Sequence, residues 1–247
     1  MRDYQKEFEG RVAFIRERVA AAHANGIVYG NSGGKDCTLV GILCKAACDD
    51  TVGITMPCAS KRNYGSDTDD AIAAARQFHI ETRTVDLTAT RSALLEALKS
   101  AGEMTDSAVS NIAPRLRMTT LYAVAAAENR VVAGTGNRSE RYMGYFTKWG
   151  DGACDFNPIA DLTATEVFEF LDYLDAPESI RTKAPSAGLF EGQTDEQEMG
   201  VTYAAIDRYL TVGEAEAGDL AVIDRYHARS LHKVNPIPLY SSEQNEG

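Results

Sequence analysis

Four short runs rich in β-branched and aromatic residues, at 26–30, 51–56, 80–85 and 131–134, alternate with segments whose apolar residues recur every three to four positions. The spacing predicts helices over 3–23, 38–48, 66–78, 88–99 and 111–127. Tyr4, Phe8, Val12, Ile15 and Val19 mark the first of these, and Asn25-Gly26 ends it. Such alternation is satisfied by parallel strands joined through crossover helices, so the expected fold is α/β: a doubly wound parallel sheet with helices on both faces. Ligands of such sheets bind at the carboxyl ends of the strands, where the loops after the first, second and fourth runs would converge.

The loop after the first run is Gly30-Asn31-Ser32-Gly33-Gly34-Lys35-Asp36-Cys37. Adjacent glycines let the backbone turn tightly and approach a ligand. Free N–H groups at the start of the next helix favour an anion there, a phosphate or pyrophosphate. A Walker A loop fails twice, because Asp36 follows Gly34-Lys35 and Tyr29 stands five before Gly34. The dinucleotide pattern Gly-x-Gly-x-x-Gly is not met either. Ser32-x-x-Lys35 suits penicillin-binding enzymes, but their Ser-Asp-Asn and Lys-Thr-Gly partners are missing from the chain. The stretch resembles the Ser-Gly-Gly-x-Asp-Ser signature of the PP-loop ATP pyrophosphatases, with Cys37 in place of the last serine. A glycine-rich turn without a ligand is the competing reading.

With 36 acidic against 25 basic residues the net charge is −11, which excludes a broad nucleic-acid face but leaves room for a small anionic substrate held by a few local cations. No apolar run is long enough to span a bilayer, and the first residues lack the core of a signal peptide, so a cytoplasmic protein is expected. The five cysteines form no Cys-x-x-Cys. Cys44 and Cys48, one helical turn apart, read as buried thiols, with zinc ligation the alternative.

Beyond Gly134 the chain is polar and turn-rich to residue 157. Helices are expected over 163–174, 203–210 and 216–231, separated by a Pro/Gly-rich connection at 176–192 and an acidic patch at 194–198. A single domain over 1–240 and a disordered tail at 241–247 complete the expectation.

The motifs then become specific. They run in order from Ser32-Gly33-Gly34-Lys35-Asp36 through Arg115-Leu116-Arg117-Met118 to Gly134-Thr135-Gly136-Asn137-Arg138-Ser139-Glu140. Tyr145-Phe146-Thr147-Lys148-Trp149-Gly150-Asp151-Gly152, Asp155-Phe156-Asn157-Pro158, Lys183-Ala184-Pro185-Ser186-Ala187-Gly188-Leu189 and His232-Lys233 follow. Over nearly its whole length the chain resembles the ammonia-dependent NAD synthetase family of the PP-loop superfamily. The resemblance implies an adenine-nucleotide α-hydrolase-like fold with extra C-terminal helices, a homodimer, and ATP-dependent amidation of deamido-NAD by ammonia through an adenylated carboxyl. It also implies ATP on Gly30, Asn31, Ser32, Gly33, Gly34, Lys35, Asp36, Cys37, Thr135 and Ser186, and Mg²⁺ on Asp36 and Glu140. Deamido-NAD would lie on Arg115, Lys148, Asp155, His232 and Lys233, with Asp36 and Lys148 the expected catalytic groups. Two departures stand out: Cys37 for serine, and Ala164 where many members carry an ATP-contacting lysine, for which Lys61 and Arg62 are possible substitutes. Because Met1 lies only a helix ahead of the loop, no glutaminase domain is expected and ammonia is the expected nitrogen donor. Two alternatives are another PP-loop adenylating enzyme, tRNA-thiolating or GMP-synthetase-like, and a nucleotide-binding regulator without catalysis.

Overall fold

The computed structural model describes residues 2–58, 66–182 and 194–240, and the side chains at 66–68 are left aside. Asp3 caps α1 (Tyr4–Ala21) by accepting the Lys6 N–H. Strand β1 (Gly26–Gly30) leads through the glycine turn into α2 (Lys35–Ala47), then β2 (Thr51–Thr55), α3 (Ser66–Gln77), β3 (Glu81–Thr84) and α4 (Thr88–Leu98). Next come α5 (Asp106–Ser110), α6 (Ile112–Glu128) and β4 (Arg130–Ala133). The described strands form one parallel sheet in the order β3-β2-β1-β4, with Ile27 beside Thr51 on one edge and Val131 on the other.

Both faces are covered, as the alternation predicts. Ile27 and Tyr29 point to one side, where they pack with Ile15 of α1, Leu39 and Leu43 of α2, and Phe170. Val28, between them, points to the other and joins Val52, Ile54, Val132 and Ala125 of α6. Because β1 pairs β2 on one edge and β4 on the other, the chain reverses its winding direction between β1 and β4. That reversal opens a crevice at their carboxyl ends.

The C-terminal part holds α7 (Arg138–Met143), α8 (Ala164–Tyr173), α9 (Glu178–Arg181), α10 (Asp195–Met199), α11 (Tyr203–Val212) and α12 (Ala217–Val234). Met143, Met199, Ile206 and Ile223 form a separate core cluster there. Within this part the carboxylate of Asp207, a residue 5% exposed, ties α11 to α7 and α8 by accepting the Ser139 hydroxyl and the Thr165 N–H. The short helices α5, α7, α9 and α10 fall outside the helices that periodicity predicts, because four to six residues are too few to display a 3.6-residue repeat. Among the described residues no helix is long and apolar enough to cross a membrane, and no cluster of three His, Cys, Asp or Glu side chains is arranged to hold a metal. Cys44 and Cys48 are free thiols.

Candidate active site

The glycine turn is held open by its own residues. Asn31, 3% exposed, extends the ladder by donating its N–H to Ile54 O (2.9 Å), and its side chain reaches Ala71 O (3.3 Å). Gly33 takes φ +77°, the left-handed region that a Cβ would strain. Gly34 caps α2 without a side chain, so the first N–H groups of the helix are left for a ligand. The Cys37 thiol is turned back into the turn: it donates to Gly34 O (3.1 Å) and lies 3.3 Å from the Ser32 hydroxyl. Burial pushes this thiol up.

The second half of the site starts where β4 ends. Asn137 and Glu140 form a reciprocal capping box at the start of α7: Asn137 Oδ1 accepts the Glu140 N–H (3.0 Å) and Glu140 Oε2 accepts the Asn137 N–H (3.1 Å). Asn137, fully buried, then donates from Nδ2 to Asp36 Oδ1 (2.9 Å). One residue therefore touches both carboxylates, Glu140 through its backbone N–H and Asp36 through its side-chain amide. Burial first, then the Asp36 carboxylate, push Glu140 well above the ordinary carboxylate range, while the Lys35 ammonium works against that rise. The penalty is the kind a bound cation relieves.

A cavity of about 750 Å³ opens over these groups, lined by the glycine turn, Thr135, Glu140, Asp195, Arg117, Arg229 and Lys233 among others. Lys233 Nζ donates to Gly144 O (2.7 Å) and Phe146 O (2.8 Å), and burial lowers its pKa. Outside the cavity wall, Arg115 Nε donates to Lys148 O (3.3 Å) and Lys148 Nζ to His232 O (2.6 Å). Arg115, Lys148 and His232 are thus linked by hydrogen bonds, and His232 adjoins Lys233 of the cavity lining along α12. Asp155 is turned to the sheet, where it accepts the Val132 N–H (2.7 Å) and the Tyr122 hydroxyl (3.1 Å). Ala164 is 1% exposed in the C-terminal cluster. Ser186, Lys61 and Arg62 lie outside the described residues.

Three groups have no role in the sequence reading. Asn137 could have been found from its Asn-x-x-Glu capping pattern. Arg229 sits four residues before Lys233, on the same helix face. Arg117, whose guanidinium donates from Nε to Met56 O (3.1 Å), carries no sequence signal that separates it from Arg115.

A parallel α/β sheet with an anion-binding turn and a clamped carboxylate pair at its switch point defines a nucleotide-handling class of protein. The NAD synthase family model matches residues 7–237, and the chain belongs to that family. It is 47% identical to the NH3-dependent NAD(+) synthetase of Carboxydothermus hydrogenoformans over 94% of this chain and 95% of that one. Among solved structures, NMN synthetase from Francisella tularensis superposes with a TM-score of 0.92 at 37% identity, over 98% of this chain and 100% of the other. The NH3-dependent NAD synthetase of Campylobacter jejuni follows at 0.80 and 28%, over 97% and 100%.

Proposed function

We infer that this chain is an ammonia-dependent NAD synthetase, a ligase that uses ATP to amidate deamido-NAD. The observation that carries the reading is the junction of Asp36 and Glu140 through Asn137 beside an open glycine turn, in a chain 47% identical to such an enzyme. A carboxylate is a poor acyl donor; its oxygen attacks the α-phosphorus of ATP, pyrophosphate leaves, and ammonia then displaces AMP from the acyl-adenylate. In this reading the turn's N–H groups receive the polyphosphate. Asp36 and Glu140 hold Mg²⁺, and two carboxylates completed by phosphate oxygens make a set that suits this hard ion. When bound, the metal neutralises charge on the phosphates. Lys233, Arg229 and Arg117 supply the local positive field that an acidic protein needs to accept an anionic dinucleotide. The hydrogen-bonded set of Arg115, Lys148 and His232 orients the rest of it. We place the enzyme in the cytoplasm as a homodimer, with one domain over 1–240.

The fit to the Francisella tularensis NMN synthetase supports a second reading, in which the same chemistry acts on nicotinate mononucleotide. Purified protein with ATP, Mg²⁺ and either acceptor decides between them: kcat/KM is expected to be higher for deamido-NAD, and a higher value for the mononucleotide overturns the first reading. Ammonium is expected to support the reaction and glutamine not; equal rates with both sink the assignment of ammonia as donor. No AMP with any acceptor, despite ATP binding, would mean a regulator.

A further inference from the structure

Lys35 stands in an unusual place for a cation. It is the first residue of α2, where the helix dipole disfavours positive charge, and its side chain is only 6% exposed. Its ammonium pairs with Asp36 Oδ2 and lies 3.9 Å from Glu140 Oε1. The rings of Phe168 and Tyr203 flank it with centroids 5.8 and 5.7 Å away. Asp195, 5% exposed, adds a further negative charge that acts on it. A lysine that only covered the loop would extend to water, as flexible four-carbon side chains do when they can. Here it is folded inward, between the two carboxylates assigned above to the metal.

We propose that the Lys35 ammonium is a resident cation of the Asp36–Glu140 pair: it keeps free divalent ions out of the ATP-free enzyme and passes to the polyphosphate when Mg²⁺ enters with ATP. The exchange keeps a cation beside the carboxylates at each stage. Without nucleotide, the ammonium offsets one of the two negative charges. With nucleotide, the divalent ion takes over the carboxylates while the incoming phosphates supply new anionic partners for the ammonium. Lys35 is a positioning residue in this account, since it governs how the metal arrives. The inference rests on the metal-site reading given above, and it differs from it in what it says about the enzyme before ATP binds.

The test is a titration with Mn²⁺ followed by electron paramagnetic resonance, using full-length protein with and without ATP and no acceptor. Wild-type protein without ATP is expected to leave the free Mn²⁺ signal undiminished, and Lys35→Met without ATP to bind Mn²⁺ at least about tenfold more tightly. With ATP, both are expected to bind it. Equal Mn²⁺ affinity of wild type and Lys35→Met in the absence of ATP overturns the proposal. If Lys35→Met does not fold, wild type alone decides: uptake of one Mn²⁺ per chain without nucleotide overturns the proposal, and uptake only with ATP supports it. Asp36→Asn separates the two levels. If it leaves Mn²⁺ binding with ATP unchanged, the metal-site reading fails; if it abolishes that binding while Lys35→Met behaves as wild type, only the role of Lys35 fails.

Discussion

Asn137 shows how much one buried amide can organise. Its side chain accepts the Glu140 N–H of α7 and donates to Asp36 across the crevice, so it fixes the helix that carries the Glu140 carboxylate against Asp36. Asn137→Ala removes both bonds. Loss of a group that orients metal-binding carboxylates typically costs 10–100-fold, and a fall in kcat/KM of about that size is expected, with a higher Mg²⁺ requirement. The cap itself contributes about 1 kcal/mol, so thermal melting should show a well-folded variant. Unchanged kinetics over a Mg²⁺ series would remove Asn137 from the site. Cys37 raises a different point. Its place at the end of the motif predicts a side chain that faces phosphate, whereas the thiol here braces the turn through Gly34 and Ser32.

Helix positions carry constraints that composition hides. Gly41 lies inside α2, where glycine is ordinarily about 1 kcal/mol worse than alanine. A Cβ at Gly41 would come within 2.6 Å of Tyr29 Cζ, and Tyr29 is 1% exposed in the core beneath β1. Gly41→Ala is therefore expected to destabilise by about 2 kcal/mol, opposite in sign to the helix-propensity effect; urea denaturation reads the sign directly. Helix α1 is fastened by charge as well as by Ile15. Arg11, 9% exposed, donates to Pro158 O, to Asp161 (2.6 and 3.0 Å) and to Glu7 (2.6 Å), while Arg2 pairs with Glu166 (2.7 Å). Burial alone would raise Asp161 and Glu166, but the hydrogen bonds from Arg11 and Arg2 outweigh it and hold both carboxyls below the usual range. Since their folded values lie below the unfolded ones, this stability is complete above the ordinary carboxylate range and disappears as pH falls through the lowered values. Arg11→Met should cost about 2 kcal/mol at neutral pH, discounted for the exposed side of Asp161, and progressively less below about pH 4. Urea melts across that range check it, and a cost independent of pH would refute the electrostatic part.

At the scale of the whole molecule, the proposed homodimer is checked by sedimentation combined with activity: the active species is expected to be a dimer, and a fully active monomer would contradict it. The α/β class and the place of the turn were legible in the sequence, because the two-residue and 3.6-residue periods and short connections are local properties of the chain. Strands β1, β2 and β4 each fall within a residue of the spacing read from Ile27, Val52 and Val131 and their neighbours. The C-terminal helices were legible from Val167, Phe170 and Leu171 in the same way. Helix α7 was not, since its six residues give periodicity nothing to work on, and its start is marked only by the Asn137–Glu140 cap. What sequence alone determined here is a parallel sheet with an anion-ready turn on its carboxyl edge. Tertiary structure alone decided that Asn137, 101 residues from Asp36, closes on it, and that Lys35 turns inward to both carboxylates. The reason is the strand order: β4 lies against β1 rather than β3, and no local pattern encodes which strands become neighbours.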